Sequence, residues 1–179
     1  AKWFSQKGYD KRYTDMAGIF TEPSGLIEVE HGHRGNIFIK VEVHGDSGHA
    51  SKPHLIKTHS VRRMIQFSDA LQEEMEKWKK EFDSKIFMPP TVGEITSIQA
   101  GLTVKTENGK NTIKAASPNK FPPSCVAVFD VRTTPEFHAV AFERIAKLGQ
   151  DFGAQVSYAE NQAPAGYTDP TEKIVRVTQ

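Results

Sequence analysis

Two hydrophobic periodicities alternate along residues 35–160, and their order is the strongest constraint on the fold. The segment "GNIFIKVEVHG", residues 35–45, has Ile37, Ile39, Val41 and Val43 at every second position, which predicts a strand with one buried face. Residues 59–82 instead repeat apolar side chains at steps of three and four, which predicts a long amphipathic helix. Its predicted buried stripe consists of Val61, Met64, Ser68, Leu71, Met75, Trp78 and Phe82.

Both patterns recur downstream. Residues 91–101, 124–132 and 154–160 predict strands, and "LTVKTENGKNTIKAA" predicts a hairpin because Asn108-Gly109 lies between β-rich arms. A second helix is predicted to begin at Thr134-Pro135 and to end at Gly153. The resulting order predicts an α+β, ferredoxin-like two-layer sandwich (βαββαβ), whose antiparallel sheet carries two helices on one face and an extra hairpin.

The two ends of the chain do not continue this pattern. Residues 1–34 and 161–179 are rich in glycine, proline and isolated charges, whereas residues 35–160 contain all the periodic segments. We therefore predict one domain over residues 35–160 and a junction on either side of it, at residues 1–34 and 161–179. Such junctions indicate a piece of a larger protein.

Composition narrows the classes of partner. The 23 basic and 22 acidic side chains nearly cancel, and no basic patch with interleaved aromatic residues predicts nucleic-acid binding. No apolar run reaches the roughly eighteen residues that span a bilayer, so we expect a soluble protein without a membrane partner. The single cysteine, Cys125, lies in the apolar run "CVAVF" and predicts a buried thiol in a reducing, cytoplasmic compartment.

Four histidines stand five residues apart, at His44, His49, His54 and His59. A step of five places side chains on opposite faces of a strand and about 140° apart on a helix. The interval therefore argues against a shared metal ion, and the sequence predicts no local zinc site here.

Three segments taken together resemble a known family. They are "TEPSGLIEVEHGHRGNIFIKVEVHGDSGHASKPH", "NKFPPSCVAVFDVRTTPE" and "APAGYTDP", and the similarity runs from about residue 15 to the end. The chain resembles the zinc-dependent aminoacylase, acetylornithine deacetylase, succinyl-diaminopimelate desuccinylase and carboxypeptidase G family. In such enzymes a smaller lid and dimerisation domain of ferredoxin-like fold interrupts the catalytic domain, and this chain is similar to that lid with its two junctions.

The resemblance implies roles for four residues. Glu22 matches a zinc ligand of the catalytic domain, and His49 matches a histidine that reaches across the dimer to hydrogen-bond the substrate carbonyl or its oxyanion. Asn119 and Arg132 match residues that bind the backbone and carboxylate of the substrate. From the residues alone, Arg132 would be expected to form a salt bridge with Asp130 instead.

The resemblance also implies an activity. The family hydrolyses amide bonds of N-acyl amino acids or small peptides with two zinc ions, although other divalent metals can substitute. The segments that would carry the remaining ligands are absent here, so the isolated fragment is expected to be a homodimer that is inactive and binds no metal tightly. The residues do not distinguish a desuccinylase from a deacetylase or a dipeptidase. The alternative function is a non-catalytic ferredoxin-like oligomerisation or ligand-binding module.

Overall fold

The computed structural model describes residues 6–7, 30–108 and 111–178. The chain divides into two compact units, one of residues 32–166 and one of residues 1–31 with 167–179. The domain boundaries predicted above, at residues 34/35 and 160/161, stay a prediction. None of the helices in the described ranges is both long enough and apolar enough to cross a lipid bilayer.

Strands and helices follow the predicted order. The described strands are β1 (Gly32–His33), β2 (Gly35–His44), β3 (Gly48–His49), β4 (Thr91–Lys105), β5 (Asn111–Ala115), β6 (Lys120–Phe121), β7 (Ser124–Thr133), β8 (Ala154–Tyr158) and β9 (Gly166–Tyr167). The described helices are α1 (Ser60–Glu81), α2 (Pro135–Asp151) and α3 (Lys173–Thr178), with a 3₁₀ turn at Pro53–Leu55.

The main sheet has five strands in the order β5-β4-β7-β2-β8, and every neighbouring pair is antiparallel. Without β5 this is the strand order of a ferredoxin-like sandwich, so the predicted fold class is confirmed. The predicted hairpin is β4–β5, in which Lys105 lies opposite Asn111. Its predicted turn residue Gly109 lies outside the described residues.

The core lies between the sheet and the two long helices. On β2, the four side chains predicted to be buried are at most 1% exposed, while the intervening residues remain partly exposed. On β7 the buried apolar side chains alternate in the same way and are Cys125, Ala127, Phe129 and Val131. Because the buried positions of both central strands pack with residues of α1 and α2 in one cluster, both helices cover the same face.

The stripe predicted for α1 needs one correction. Phe67 is fully buried, whereas Ser68, which the periodicity assigned to the stripe, is partly exposed. The buried positions are Ser60, Met64, Phe67, Leu71, Met75 and Trp78, a run of steps of three and four that passes through residue 67. The ring of Phe67 meets Phe129 edge-on at 5.8 Å and Phe152 at 5.9 Å, so it joins α1 to the sheet and to the end of α2.

α2 begins directly after Thr134 and ends just before Gly153, as the sequence predicts. The Thr134 hydroxyl accepts a hydrogen bond from the Phe137 amide at 3.4 Å, and Pro135 occupies the first turn, where no amide hydrogen is needed. Beyond the helix, Gly153 has a φ of +58°, a left-handed conformation that glycine adopts without steric cost.

A contact between α1 and α2 closes the helical layer. The Arg144 guanidinium donates to both carboxylate oxygens of Glu81 at 2.6 Å and lies 4.8 Å from the centre of the Phe82 ring. The guanidinium hydrogen bond lowers the pKa of the Glu81 carboxyl. The Arg144 side chain, from the middle of α2, thus pairs with a charge and covers an aromatic ring at the end of α1.

We predict that Phe67→Ala lowers the free energy of unfolding by about 3–5 kcal/mol, because it removes a large ring from a closed core. Ser68→Ala, at the neighbouring and partly exposed position, should change it by about 0.5 kcal/mol or less. Urea denaturation followed by circular dichroism measures both. Equal effects of the two substitutions would show that α1 is rotated from the orientation described.

Candidate functional site

His49 lies on a short strand beyond the end of the main sheet. β3 pairs antiparallel with β6, with Gly48 opposite Phe121 and His49 opposite Lys120. The side chain of His49 is exposed. A Cβ atom at Gly48 would lie 2.8 Å from Cδ1 of Ile56, so a glycine allows the later part of the loop to pack closely against β3.

Ser51 determines which ring nitrogen of His49 carries the proton. The Ser51 amide donates to Nδ1 of His49 at 3.2 Å, and the Ser51 hydroxyl lies 2.7 Å from the same nitrogen. Because Nδ1 accepts the Ser51 amide hydrogen, its lone pair is occupied and the neutral ring carries its proton on Nε2. His49 therefore presents an N–H donor on the side of the ring that faces away from Ser51.

Asn119 lies next to that donor. Its Nδ2 is 3.3 Å from Nε2 of His49, although the two residues are 70 positions apart in the sequence. The Asn119 Oδ1 accepts from the Ser117 hydroxyl at 2.7 Å, and the Asn119 carbonyl accepts from the Ala50 amide at 2.7 Å. With the proton on Nε2, an Nδ2 that faces it sets two donors against each other. The amide turned by 180° lets Oδ1 accept the Nε2 proton and Nδ2 donate to Ser117, since a hydroxyl can also accept.

Arg132 lies elsewhere on the sheet. It stands near the end of β7, opposite Asn36 on β2 and Thr91 on β4, whereas the His49 loop follows the other end of β2, where His44 lies opposite Ser124. Eight residues of strand separate positions 124 and 132, which is roughly 25 Å. One copy of the chain therefore brings His49 and Asn119 together and holds Arg132 well apart from them.

The guanidinium of Arg132 is bound to Asp130, the salt bridge expected from the residues alone. Nε and Nη2 donate to Oδ2 of Asp130 at 3.1 and 2.6 Å. Oδ1 of Asp130 is buried and has no hydrogen-bond partner among the described atoms. The pair lies on the face of the sheet away from the helices, so a second carboxylate can still approach the guanidinium there.

The other histidines are dispersed, as the five-residue interval predicts. Nδ1 of His44 lies 3.1 Å from the Ser124 hydroxyl, His54 is exposed in the 3₁₀ turn, and His59 accepts the Arg62 amide at the start of α1. Within residues 30–108 and 111–178, no three His, Cys, Asp or Glu side chains converge on a metal-ion geometry. Glu22, the zinc ligand implied by the resemblance, lies outside the described residues.

Sequence reasoning missed Asp46, which closes the loop that carries His49. Its Oδ2 accepts the amide hydrogens of Lys57 at 2.8 Å and Thr58 at 2.9 Å. These hydrogen bonds, Thr58 first and then Lys57, hold the pKa of the Asp46 carboxyl below its usual value. The loop is thus tied at its base by an anion that stays charged below the ordinary pKa of aspartate.

Asp46, Ser51 and Ser117 share a signal that could have identified them. Short polar side chains in loops bond to nearby backbone groups and order the turn around a functional residue. Ser51 and Ser117 each stand two residues from the side chain that they contact, His49 and Asn119 respectively. The spacing is visible in the sequence, but it does not identify the atom of the ring or amide that accepts.

A known protein family and a curated bacterial protein match this chain in sequence. The family described as "Peptidase dimerisation domain" (M20_dimer) matches residues 31–148. The chain is 30% identical over 129 residues to the succinyl-diaminopimelate desuccinylase of Marinobacter nauticus, a match that covers 70% of this chain and 29% of that protein. The chain thus spans less than a third of the length of this curated relative.

Solved structures share the fold at low sequence identity. An amidase of the hydantoinase/carbamoylase family from Burkholderia phymatum is 12% identical with a TM-score of 0.60, over 78% of this chain and 31% of that one. A tripeptidase from Staphylococcus aureus is 14% identical with a TM-score of 0.51, over 82% of this chain and 34% of that one. In both, the matching region is about a third of a longer chain.

Proposed function

Because this chain belongs to the peptidase dimerisation domain family of M20 peptidases, we propose that it is the lid and dimerisation domain of a cytoplasmic, zinc-dependent hydrolase. The proposed substrates are N-acyl amino acids or small peptides, whose amide bond the parent enzyme cleaves. The desuccinylase name of the Marinobacter relative supports this class of reaction. The proposed catalytic contribution of the chain comes from His49, with Asn119 and Arg132 as substrate-binding residues.

The observation that carries the proposal is the contact between His49 and Asn119. Hydrolysis of an amide develops negative charge on the carbonyl oxygen, and a fixed N–H donor aimed at that oxygen stabilises the transition state. Ser51 holds His49 in the form that has a donor at Nε2. The Asn119 amide, 3.3 Å away, adds a second N–H donor, at Nδ2, that can reach the same oxygen.

The separation within one copy also supports a proposed division of these residues between the two active sites of a dimer. Since His49 and Asn119 are in contact, a dimer that sends His49 into the partner's active site sends Asn119 with it. Arg132, roughly 25 Å away along β7, would then serve the active site of its own subunit. There its guanidinium would bind the substrate carboxylate while Asp130 holds it in place.

The proposed dimer uses the exposed edge of β4 together with α1. β5 pairs only with Gly101–Lys105, so residues 91–100 have no strand on that side among the described strands. Ile98 on β4 is 49% exposed and Ile65 on α1 is 50% exposed. Pairing of this edge with its copy would satisfy the free backbone groups and cover apolar surface, as in a two-fold symmetric interface.

The proposed zinc ions belong to the parent enzyme. A zinc site needs three or four ligands, and Glu22 is the single ligand that the resemblance implies for this chain. Among the described residues, no three His, Cys, Asp or Glu side chains converge to form a further metal site. His49, Asn119 and Arg132 are therefore proposed to act on substrate, and the chain by itself is proposed to be inactive.

In the parent enzyme, His49→Ala should lower kcat by about 10²- to 10³-fold with little change in KM, because it removes a donor used mainly in the transition state. His54→Ala is the matched control, since His54 is exposed in the following turn and should leave kcat unchanged. Steady-state kinetics on a desuccinylase, deacetylase and dipeptidase substrate panel measures both and identifies the substrate. An unchanged kcat in the His49 variant would refute the oxyanion role.

Dimers of two different variants test which subunit supplies His49, Asn119 and Arg132 to each active site. A dimer of one His49→Ala subunit and one Arg132→Ala subunit should regain about half of the wild-type activity, because one active site then has both residues. A dimer of one His49→Ala and one Asn119→Ala subunit should regain none, since each active site lacks one of the two. Recovery in both pairings would show that Asn119 does not accompany His49.

We predict that the chain dimerises reversibly and that Ile98→Lys shifts it to monomer, because a charge at the interface would lose its hydration. Ile86→Lys is the matched control, since Ile86 is 58% exposed outside this edge. Sedimentation velocity over a concentration series measures the effect. A wild-type monomer at every concentration, or equal dissociation by both substitutions, would contradict the proposed interface.

Zinc titration of the isolated chain should show no saturable binding in the micromolar range, because no set of three His, Cys, Asp or Glu side chains converges among the described residues. Isothermal titration calorimetry after chelator treatment measures this, with Glu22→Gln as the comparison. Stoichiometric micromolar uptake that the substitution abolishes would contradict the assignment of the zinc ions to the rest of the parent.

A further inference from the structure

An open cleft of about 300 Å³ lies at the start of α1. Its lining includes Lys57, Arg62, Arg63, His59, Gln66 and Phe121, and no Asp or Glu of the described part of the chain lines it. We call this feature the cationic cleft. It shares the loop after β3 with His49, because Ile56, which also lines the cleft, packs close to Gly48.

Among the residues that the structure describes, the three fixed positive charges of the cationic cleft have no ion-pair partner. Lys57, Arg62 and Arg63 take part in none of the salt bridges among the described residues. Arg132 and Arg144, by contrast, are each bound to a carboxylate. Three cations grouped without a counter-ion repel one another, and an anion between them removes that repulsion.

The nearest carboxylate on this loop, that of Asp46, is already engaged. Its Oδ2 accepts the backbone amides of Lys57 and Thr58, so it holds the loop and does not reach an ion-pair distance from the Lys57 or Arg63 side chain. The positive charges of Lys57 and Arg63 are close enough to help lower the pKa of the Asp46 carboxyl. The side chains of the cleft therefore retain net positive charge after Asp46 is counted.

The uncharged groups of the cleft also suit an anion. Nδ1 of His59 accepts the Arg62 amide at 3.4 Å, so the neutral ring carries its proton on Nε2. The His59 ring packs edge-on against Phe121 at 5.0 Å, which gives it an apolar support. Gln66 adds an amide donor, so the cleft combines several donors with one apolar wall and, within the described ranges, no carboxylate in its lining.

We propose that the cationic cleft binds a small anion with two or more negative charges, recognised through carboxylate or phosphate oxygens. The planar guanidinium of Arg62 or Arg63 can bind two such oxygens at once, and Lys57 adds a point charge. A volume of about 300 Å³ suits a compact metabolite-sized anion and not a macromolecule. This site does not depend on the proposed hydrolase activity, because none of its residues is assigned to that reaction.

The test uses the chain itself with two probes, pyrophosphate and citrate, each added at constant ionic strength set by sodium chloride. Calorimetry should show saturable binding of one anion per chain for at least one probe, and NMR amide shifts should change mainly in residues 57–66. The probe that binds identifies phosphate or carboxylate as the recognised group. Arg62→Gln should weaken binding about tenfold, since it removes a charged donor pair.

Lys80→Gln is the matched control, because Lys80 is an exposed cation at the far end of the same helix, outside the cleft. It should leave the dissociation constant within about twofold. If Arg62→Gln lowers the unfolding midpoint, Lys57→Gln in the preceding loop carries the same expectation of weaker binding. Lack of saturation by both probes up to roughly 10 mM, or equal weakening by Lys80→Gln, would overturn the proposal.

Discussion

The antiparallel pairing of β2 with β7 is the interaction on which the rest of the structure depends. Ten residues of each strand are in register, from Gly35 opposite Thr133 to His44 opposite Ser124. A slip by one residue would turn every buried side chain of β2 to the opposite face, so the hydrophobic alternation fixes this register strongly. The two ends of the pair then determine where the loop with His49 begins and where Arg132 stands.

The helical layer makes this pairing rigid enough to position a site. α1 and α2 bury the inner faces of both central strands, and the Phe67 ring touches the sheet and the end of α2 at once. A densely packed core has low compressibility, so the end of the sheet can act as a fixed base. The loop that carries His49 begins at that base. Two contacts hold it there: the hydrogen bonds of Asp46 to Lys57 and Thr58, and the short β3–β6 pairing.

The sequence predicted the elements well because their signals are local. Alternation identified β2 and β7, a proline and a glycine identified the limits of α2, and the turn signal identified the β4–β5 hairpin. The error at Ser68 shows the limit of that reasoning. A stripe read at steps of three and four leaves a choice between neighbouring positions, and only packing against Phe129 and Phe152 selects Phe67.

The candidate site was harder to predict because its geometry joins distant segments. The resemblance implied roles for His49, Asn119 and Arg132 as individual residues, and it grouped Asn119 with Arg132 as substrate-binding residues. The tertiary structure groups Asn119 with His49 instead, since β6 returns beside β3 while β7 carries Arg132 to the other end of the sheet. The sequence by itself determined the strands, helices and family, because periodicity and motifs act over short spans. Only the tertiary structure decided which side chains meet, because strand register sets the distances between residues far apart in the chain.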